Sequence, residues 1–303
     1  MRSGMSPSTM VGALFVIVSA LGFSLYPVFG KYVFAGGADL ATILFVRFAI
    51  SAVLFWLVVL WQDGFPRLKL RTWLILWGLG GIGYAAQSGL YLSSVRYIPA
   101  SLAALLLYAY PLVVTVLTIL TKQEKLSGAK LAGLLFSSLG LISVLGLSLA
   151  GINFFGVMLA LGAALVYSVY IIIGNQVLKE VPPLTSAAII ATGAALSYGV
   201  FGWTRGFTWD LSTQTWLGIG GIILFSTVLA MLTFFLGMQR VGAATASILS
   251  MLEPVLTVFF AFLLFNESFS FWQGIGACLV ISGGILAVWT PRVRSSNAKT
   301  VSG

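Results

Sequence analysis

Apolar runs of close to 20 residues, separated by short polar or charged connections, follow one another along the whole chain. A helix needs about 20 such residues to cross a hydrocarbon core of about 30 Å. The pattern predicts ten transmembrane helices over 10–34, 41–61, 72–92, 99–121, 129–148, 154–174, 184–203, 216–236, 243–265 and 271–290. Continuous apolar runs, rather than alternating segments of about ten residues, exclude a β-barrel. Trp61, Trp73, Trp203, Trp216, Trp272 and Trp289 each fall within two residues of a predicted span end, and an amphipathic indole prefers the headgroup level. Arg2 precedes a first run too long for a signal-peptide core, so that run is expected to stay as helix one.

The same pattern repeats at half the chain length. Adding 143 carries Thr72 and Trp73 onto Thr215 and Trp216, Pro111 onto Pro254, Glu124 onto Glu267, Ser127 onto Ser270, and Gly133 and Gly140 onto Gly276 and Gly283. An offset of 144 carries Gly12, Ser24, Tyr26 and Gly30 onto Gly156, Ser168, Tyr170 and Gly174. The chain therefore divides into residues 1–149 and 150–303, five predicted spans each, the second ending in a short basic tail. An odd number of spans makes the second copy enter the membrane from the opposite face. The expected fold is an all-α integral membrane protein of two inverted five-helix repeats, an arrangement that many secondary transporters use to build two openings around one site.

Composition agrees with the pattern: 59% of the residues are hydrophobic and 8% charged, too few charges for the surface of a water-soluble domain. The +9 net charge is explained by topology. Connections on the N-terminal side hold twelve basic residues: Arg2, Arg67, Lys69, Arg71, Lys122, Lys125, Lys130, Lys179, Arg240, Arg292, Arg294 and Lys299. The opposite side holds Lys31, Arg96 and Arg205, and Arg47 lies inside helix two. Basic residues are retained in the cytoplasm, so both termini are expected there, and no soluble basic domain is left for nucleic acid.

Enzymatic chemistry lacks its usual residues. The chain has no histidine, which removes imidazole-based hydrolysis and His-containing metal sites. Its one cysteine, Cys278, falls in the apolar middle of helix ten, where packing is the expected role. No GxxxxGK[ST] phosphate loop is present, and the spans hold no paired acidic residues for magnesium. No cofactor is expected.

What remains within the spans is neutral, polar and aromatic. Tyr84, Gln87, Ser88 and Tyr91 form one stripe on an otherwise apolar helix three. It is either a substrate-facing wall or a set of interhelical hydrogen bonds, worth only about 0.6–2 kcal/mol per pair. The matched positions of helix eight are Thr227, Ala230, Met231 and Phe234, a less polar stripe. Helices one and six offer Phe23, Ser24 and Tyr26 against Tyr167, Ser168 and Tyr170, at depths that converge near the midplane in inverted repeats. Tyr108 and Ser250, mid-span in helices four and nine, complete the polar candidates.

Two charges lie within the spans, where an ionised group is costly and usually paired or functional. Glu253, matched in the repeat by Tyr110, has three readings: binding a substrate ammonium, carrying a coupling proton, or satisfying backbone groups released by Pro254. Arg47, near the outer end of helix two, either meets a carboxylate or snorkels to the interface, which is the expected behaviour. Kinks are expected at Pro27, Pro111 and Pro254, with hinge motion as their possible use. Ser127 and Ser270 read as N-caps of helices five and ten, each following a Glu by three residues.

Ala20 to Lys31 in helix one, Arg47 in helix two, Leu252-Glu253-Pro254-Val255 in helix nine and Asn266-Glu267-Ser268-Phe269 before helix ten together resemble the EamA units of the drug/metabolite transporter superfamily. The resemblance covers roughly residues 12–145 and 152–288 and is strongest to bacterial exporters of aromatic and other amino acids. It implies a central cavity lined mainly by helices one, three, four, six, eight and nine, and export from the cytoplasm by alternating access. A zwitterion can be held by hydroxyls, amides and helix ends, whereas sugar phosphates would need more arginine or lysine than these spans contain. The expected function is a secondary transporter in the bacterial inner membrane, working as a monomer on an amino acid or similar small metabolite. The alternatives are an exporter of lipophilic cations or drugs anchored by Glu253, and a non-transporting scaffold or sensor.

Overall fold

The computed structural model describes residues 7–94, 96–124, 127–146, 153–265 and 270–289. Arg2, Lys125, the Asn266-Glu267-Ser268-Phe269 motif and the basic tail with Arg292, Arg294 and Lys299 lie outside the described residues.

Every regular element among the described residues is helical. The first copy runs α1 (Pro7–Ala35), α2 (Leu40–Gln62), α3 (Leu70–Gly78), a π-helical turn (Leu79–Tyr84), α4 (Ala85–Ser94), α5 (Ala100–Leu107), α6 (Tyr110–Leu120) and α7 (Gly128–Leu145). The second runs α8 (Phe154–Val177), α9 (Pro183–Arg205), α10 (Thr213–Ile223), a second π-helical turn (Leu224–Leu229), α11 (Ala230–Val241), α12 (Ala243–Leu249), α13 (Leu252–Phe265) and α14 (Phe271–Val288). Among the described residues, nine helical segments are long and apolar enough to cross a membrane. The tenth predicted span, α3 through α4, is helical from Leu70 to Ser94, and the polar stripe from Tyr84 to Tyr91 lowers its hydropathy.

Spans four and nine differ from expectation. Each is two helices separated by a short turn, at Tyr108–Ala109 and at Ser250–Met251. Pro111 and Pro254 therefore sit in the first turns of α6 and α13 rather than at a bend within one helix. A proline has no N–H to give to the preceding turn but is well suited to a helix start. Pro27 behaves otherwise: α1 continues through it, and its ring faces outward.

Leu14, Leu57, Leu74, Leu135, Val200 and Leu263 stand exposed around the bundle, an apolar surface suited to lipid and not to water. Trp61 and Trp203 are 84% and 87% exposed at helix ends, as expected of interfacial anchors. Cys278 faces outward on α14 instead of packing inside. The expected caps are present, with Ser127 accepting from the Lys130 amide and Ser270 forming a reciprocal capping box with Gln273.

The two copies are joined along their length. The most extensive helix pairs, α7 with α14, α2 with α9 and α1 with α11, each take one member from each copy. The repeat-matched glycines make the first of these possible. A Cβ on Gly140 would lie 2.6 Å from the Gly276 carbonyl oxygen, and one on Gly133 2.5 Å from that of Gly283. Each glycine thus receives the backbone of its partner's repeat mate, a self-complementary crossing that only residues without side chains allow.

Candidate functional site

The two π-helical turns hold matched positions, since Tyr84 and Thr227 are 143 residues apart. Both turns are aimed at one side chain. Arg47 of α2 donates from Nε to Thr227 Oγ1 at 2.6 Å, and from Nη2 to the Ser226 carbonyl at 3.1 Å and to the Tyr84 hydroxyl at 3.4 Å. Its guanidinium carbon also lies 4.7 Å from the centre of the Tyr26 ring and 4.9 Å from that of Phe48. π-Turns displace the regular backbone ladder and recur at functional sites; here the Ser226 carbonyl that accepts from the arginine belongs to one.

The expectation that Arg47 snorkels is therefore corrected: only 4% of it is exposed. Depth along α2 placed it near the outer interface, but the acceptors that turn it inward come from the third and eighth spans. Every acceptor it reaches is neutral. The one ion pair between described residues is Glu124 with Lys130.

Arg47 borders a cavity of about 260 Å³, lined also by Phe23, Tyr26, Phe34, Leu40, Leu44, Tyr84, Gln87, Ser88, Tyr91, Leu107, Tyr108, Tyr110, Tyr167 and Glu253. All four residues of the helix-three stripe face this space. A chain of ring contacts runs from the arginine to the far side of the cavity, Phe48 to Tyr84 at 4.9 Å, Tyr84 to Tyr170 at 6.3 Å, Tyr170 to Tyr167 at 5.8 Å, Tyr167 to Tyr110 at 4.7 Å and Tyr110 to Tyr108 at 6.0 Å; Tyr84, Tyr167, Tyr110 and Tyr108 stand on the cavity wall, with Phe48 and Tyr170 packed behind them. Tyr91, Tyr108 and Tyr110 surround Glu253, which stands at the start of α13 because the break before Pro254 exposes that turn. The cavity thus has a cation at one part of its wall, a carboxylate at another, and tyrosines between.

The remaining candidates are placed less directly. Tyr170, Thr227 and Met231 line a small adjoining void of about 20 Å³ that also touches Phe23, Arg47 and Tyr167. Ser24 donates to the Leu21 carbonyl of its own helix, whereas Ser250 donates to the Ala246 carbonyl and its hydroxyl also bonds with that of Tyr110 on the cavity wall. Ser168 donates to Ala164 and across to the Tyr110 carbonyl, tying α8 to the start of α6. The second span contributes Leu40, Leu44 and Arg47 to the cavity, whereas the resemblance implied six other helices. A larger groove of about 620 Å³ opens toward lipid between α2 and α9, lined by Val53, Trp56, Leu196, Val200 and Trp203 among others. It contains no charged side chain, so the tyrosine cavity is the better site for a polar solute.

The ends of the bundle are unequal. At the end holding the α6–α7, α8–α9 and α11–α12 connections, Glu124 pairs with Lys130 Nζ at 2.6 Å and accepts from the Ala244 amide at 3.0 Å. Gly242 adopts φ +85°, and a Cβ there would meet the Glu124 carboxylate. Asn175 donates to Gln123 at 3.0 Å, and Gln239 to the Leu178 carbonyl at 2.7 Å. At the other end, Asp39 caps α2 through Thr42 and accepts from the Thr208 amide at 2.9 Å. Partial burial pushes the Asp39 carboxyl up, but the bonds from Thr42 and Thr208 outweigh it and hold the group down at about 2, against an ordinary 3.8. The cavity extends toward this second end between Phe34, Leu40, Tyr91 and Leu107.

The profile of the EamA-like transporter family matches residues 10–146 and 154–289. The chain belongs to that family. Among named relatives, it is 25% identical over 292 residues to the uncharacterized transporter YcbK of Bacillus subtilis, covering 92% of this chain and 91% of that protein. It is 26% identical over 226 residues to the aromatic amino acid exporter YddG of Ancylobacter novellus, covering 71% and 75%. A crystal structure with 20% identity superposes with a TM-score of 0.78, covering 94% of this chain and 97% of the other, and so shares the fold.

Proposed function

We propose that this chain is a secondary transporter exporting amino acids, aromatic and other neutral ones among them, or similar small metabolites across the bacterial inner membrane by alternating access. The observation that carries this reading is the cavity between the copies: small, walled by tyrosines, and holding one guanidinium and one carboxylate. At about 260 Å³ it falls just below the roughly 300–1,000 Å³ usual for drug-sized ligands, which favours a metabolite. A lipophilic cation, the other solute Glu253 suits, would have to share this space with the positive charge of Arg47. Similarity to a protein named as an aromatic amino acid exporter supports the same class. With the termini cytoplasmic, as the basic residues favour, the latched end at Glu124 is the inner one and the cavity extends outward.

Proteoliposomes loaded with labelled phenylalanine, tyrosine, leucine or threonine test the proposal. Efflux of at least one, competed by its unlabelled form, is expected; absence of flux for all four would overturn it.

A further inference from the structure

We infer that Arg47 is the residue that receives the substrate carboxylate, and that Glu253 receives the ammonium, so that the transporter selects for zwitterions by two separate poles. This rests on the reading of the cavity as an amino-acid site.

A cation buried to this extent is normally neutralised by an anion. Arg47 donates to Thr227, Ser226 and Tyr84, all neutral, and the carboxylate of Glu253 acts on it only through space, as the second charge on the cavity that both border. Its Nε and Nη2 donors are used for positioning, which fixes the plane of the guanidinium before any ligand arrives. A guanidinium has five N–H groups in a rigid fork that matches a carboxylate in geometry and charge. Fixing it in advance reduces the ordering cost of binding. Glu253 shows the complementary arrangement, a carboxylate among tyrosines on the same cavity. The rings of Tyr84, Tyr167, Tyr110 and Tyr108 on the cavity wall leave a surface that suits an apolar or aromatic side chain. A solute carrying one charge would leave the other pole unpaired, and an unpaired buried charge is the stronger source of rejection.

The test uses the purified full-length protein in detergent and measures competition against bound labelled L-phenylalanine. The competitors are L-phenylalanine, L-phenylalaninol, which lacks the carboxylate, and 3-phenylpropionate, which lacks the ammonium. Wild type is expected to bind the amino acid roughly 10- to 100-fold more tightly than either analogue, the range that one charge-assisted hydrogen bond supplies. Arg47→Gln should weaken phenylalanine and leave phenylalaninol bound at least as tightly as before, since no unpaired guanidinium remains to reject it, so that the preference between the two is lost; Glu253→Gln should do the same relative to phenylpropionate. Arg47→Lys, which keeps the charge but loses the fork, should retain part of the preference.

Phenylalaninol binding to wild type as tightly as phenylalanine would overturn the inference even if no variant folded. Equal weakening of amino acid and amino alcohol by Arg47→Gln would also overturn it, by showing that the arginine only supports packing. Both results leave amino-acid transport standing. Absence of binding and flux for every amino acid would instead remove the functional reading beneath it.

Discussion

Replacing Glu124 with Gln should release the latched end of the bundle. The carboxylate accepts from Lys130 Nζ at 2.6 Å and from the Ala244 amide at 3.0 Å, joining the first copy to α12 of the second. The two paired side chains are only 11% and 12% exposed, so water screens them little. Gln keeps a carbonyl for the amide but gives up the charged bond, which contributes about 1.5–3 kcal/mol in such settings. If the bond exists only while this end is closed, its loss moves the closed-to-open ratio by about 10- to 150-fold. A reporter is at hand in Ser247 of α12, which is fully buried. In a Cys278→Ser background, a cysteine at 247 should react with a water-soluble maleimide at a rate proportional to the open fraction, and Glu124→Gln should raise that rate at least tenfold. Adding Lys130→Met removes the stranded ammonium, and the pair of changes should then open the end less than the sum of the single effects. A rate within twofold of the parent in Glu124→Gln would refute the latch.

Gly140→Val would push a side chain into the Gly276 carbonyl and Leu279; it should destabilise by about 2 kcal/mol or more and lower the melting temperature in detergent, whereas Gly78→Ala, with open space around it, should not. Asp39→Asn should flatten the acid limb of stability. Because the folded-state carboxyl titrates at about 2 rather than 3.8, its contribution is complete above pH about 4 and is lost as pH falls toward 2. Wild type and variant should therefore converge in thermal melts across that window. Pro111→Ala or Pro254→Ala would permit α5 to run into α6, or α12 into α13, and should slow flux more than it weakens binding; equal losses in both would count against motion at the breaks.

The spans and the repeat were legible because lipid imposes one requirement, continuous apolarity, on every helix. The helix-three stripe was legible for the same reason, since Tyr84, Gln87, Ser88 and Tyr91 are what lipid would reject. The breaks at Tyr108–Ala109 and Ser250–Met251 were not, because a mid-span proline is compatible with a kinked helix as well as with a new start, and the difference lies in the hydrogen bonds of the preceding turn. The burial of Arg47 is not legible, because depth along one helix says nothing about which neighbours stand beside it. Its acceptors, Thr227 and Ser226, are 180 and 179 residues away. The register did contain a pointer: Tyr84 and Thr227 were already known to be mates, and mates in an inverted pair face a common axis.

The two charges on the cavity have no such mates. Offsets of 143 and 144 from Arg47 reach Ile190 and Ala191, and Glu253 is matched by Tyr110. In the alternating access proposed above, the copies exchange their roles between two facing states, and the backbones trade places but these side chains do not. A substrate arriving from one side therefore meets a different chemical surface from one arriving from the other, and half-saturation should differ between the two directions of transport. Such asymmetry cannot by itself drive accumulation, because any tighter binding on one side is offset by the preference of the empty carrier for the other. It sets instead the concentration range over which each face of the membrane is sampled.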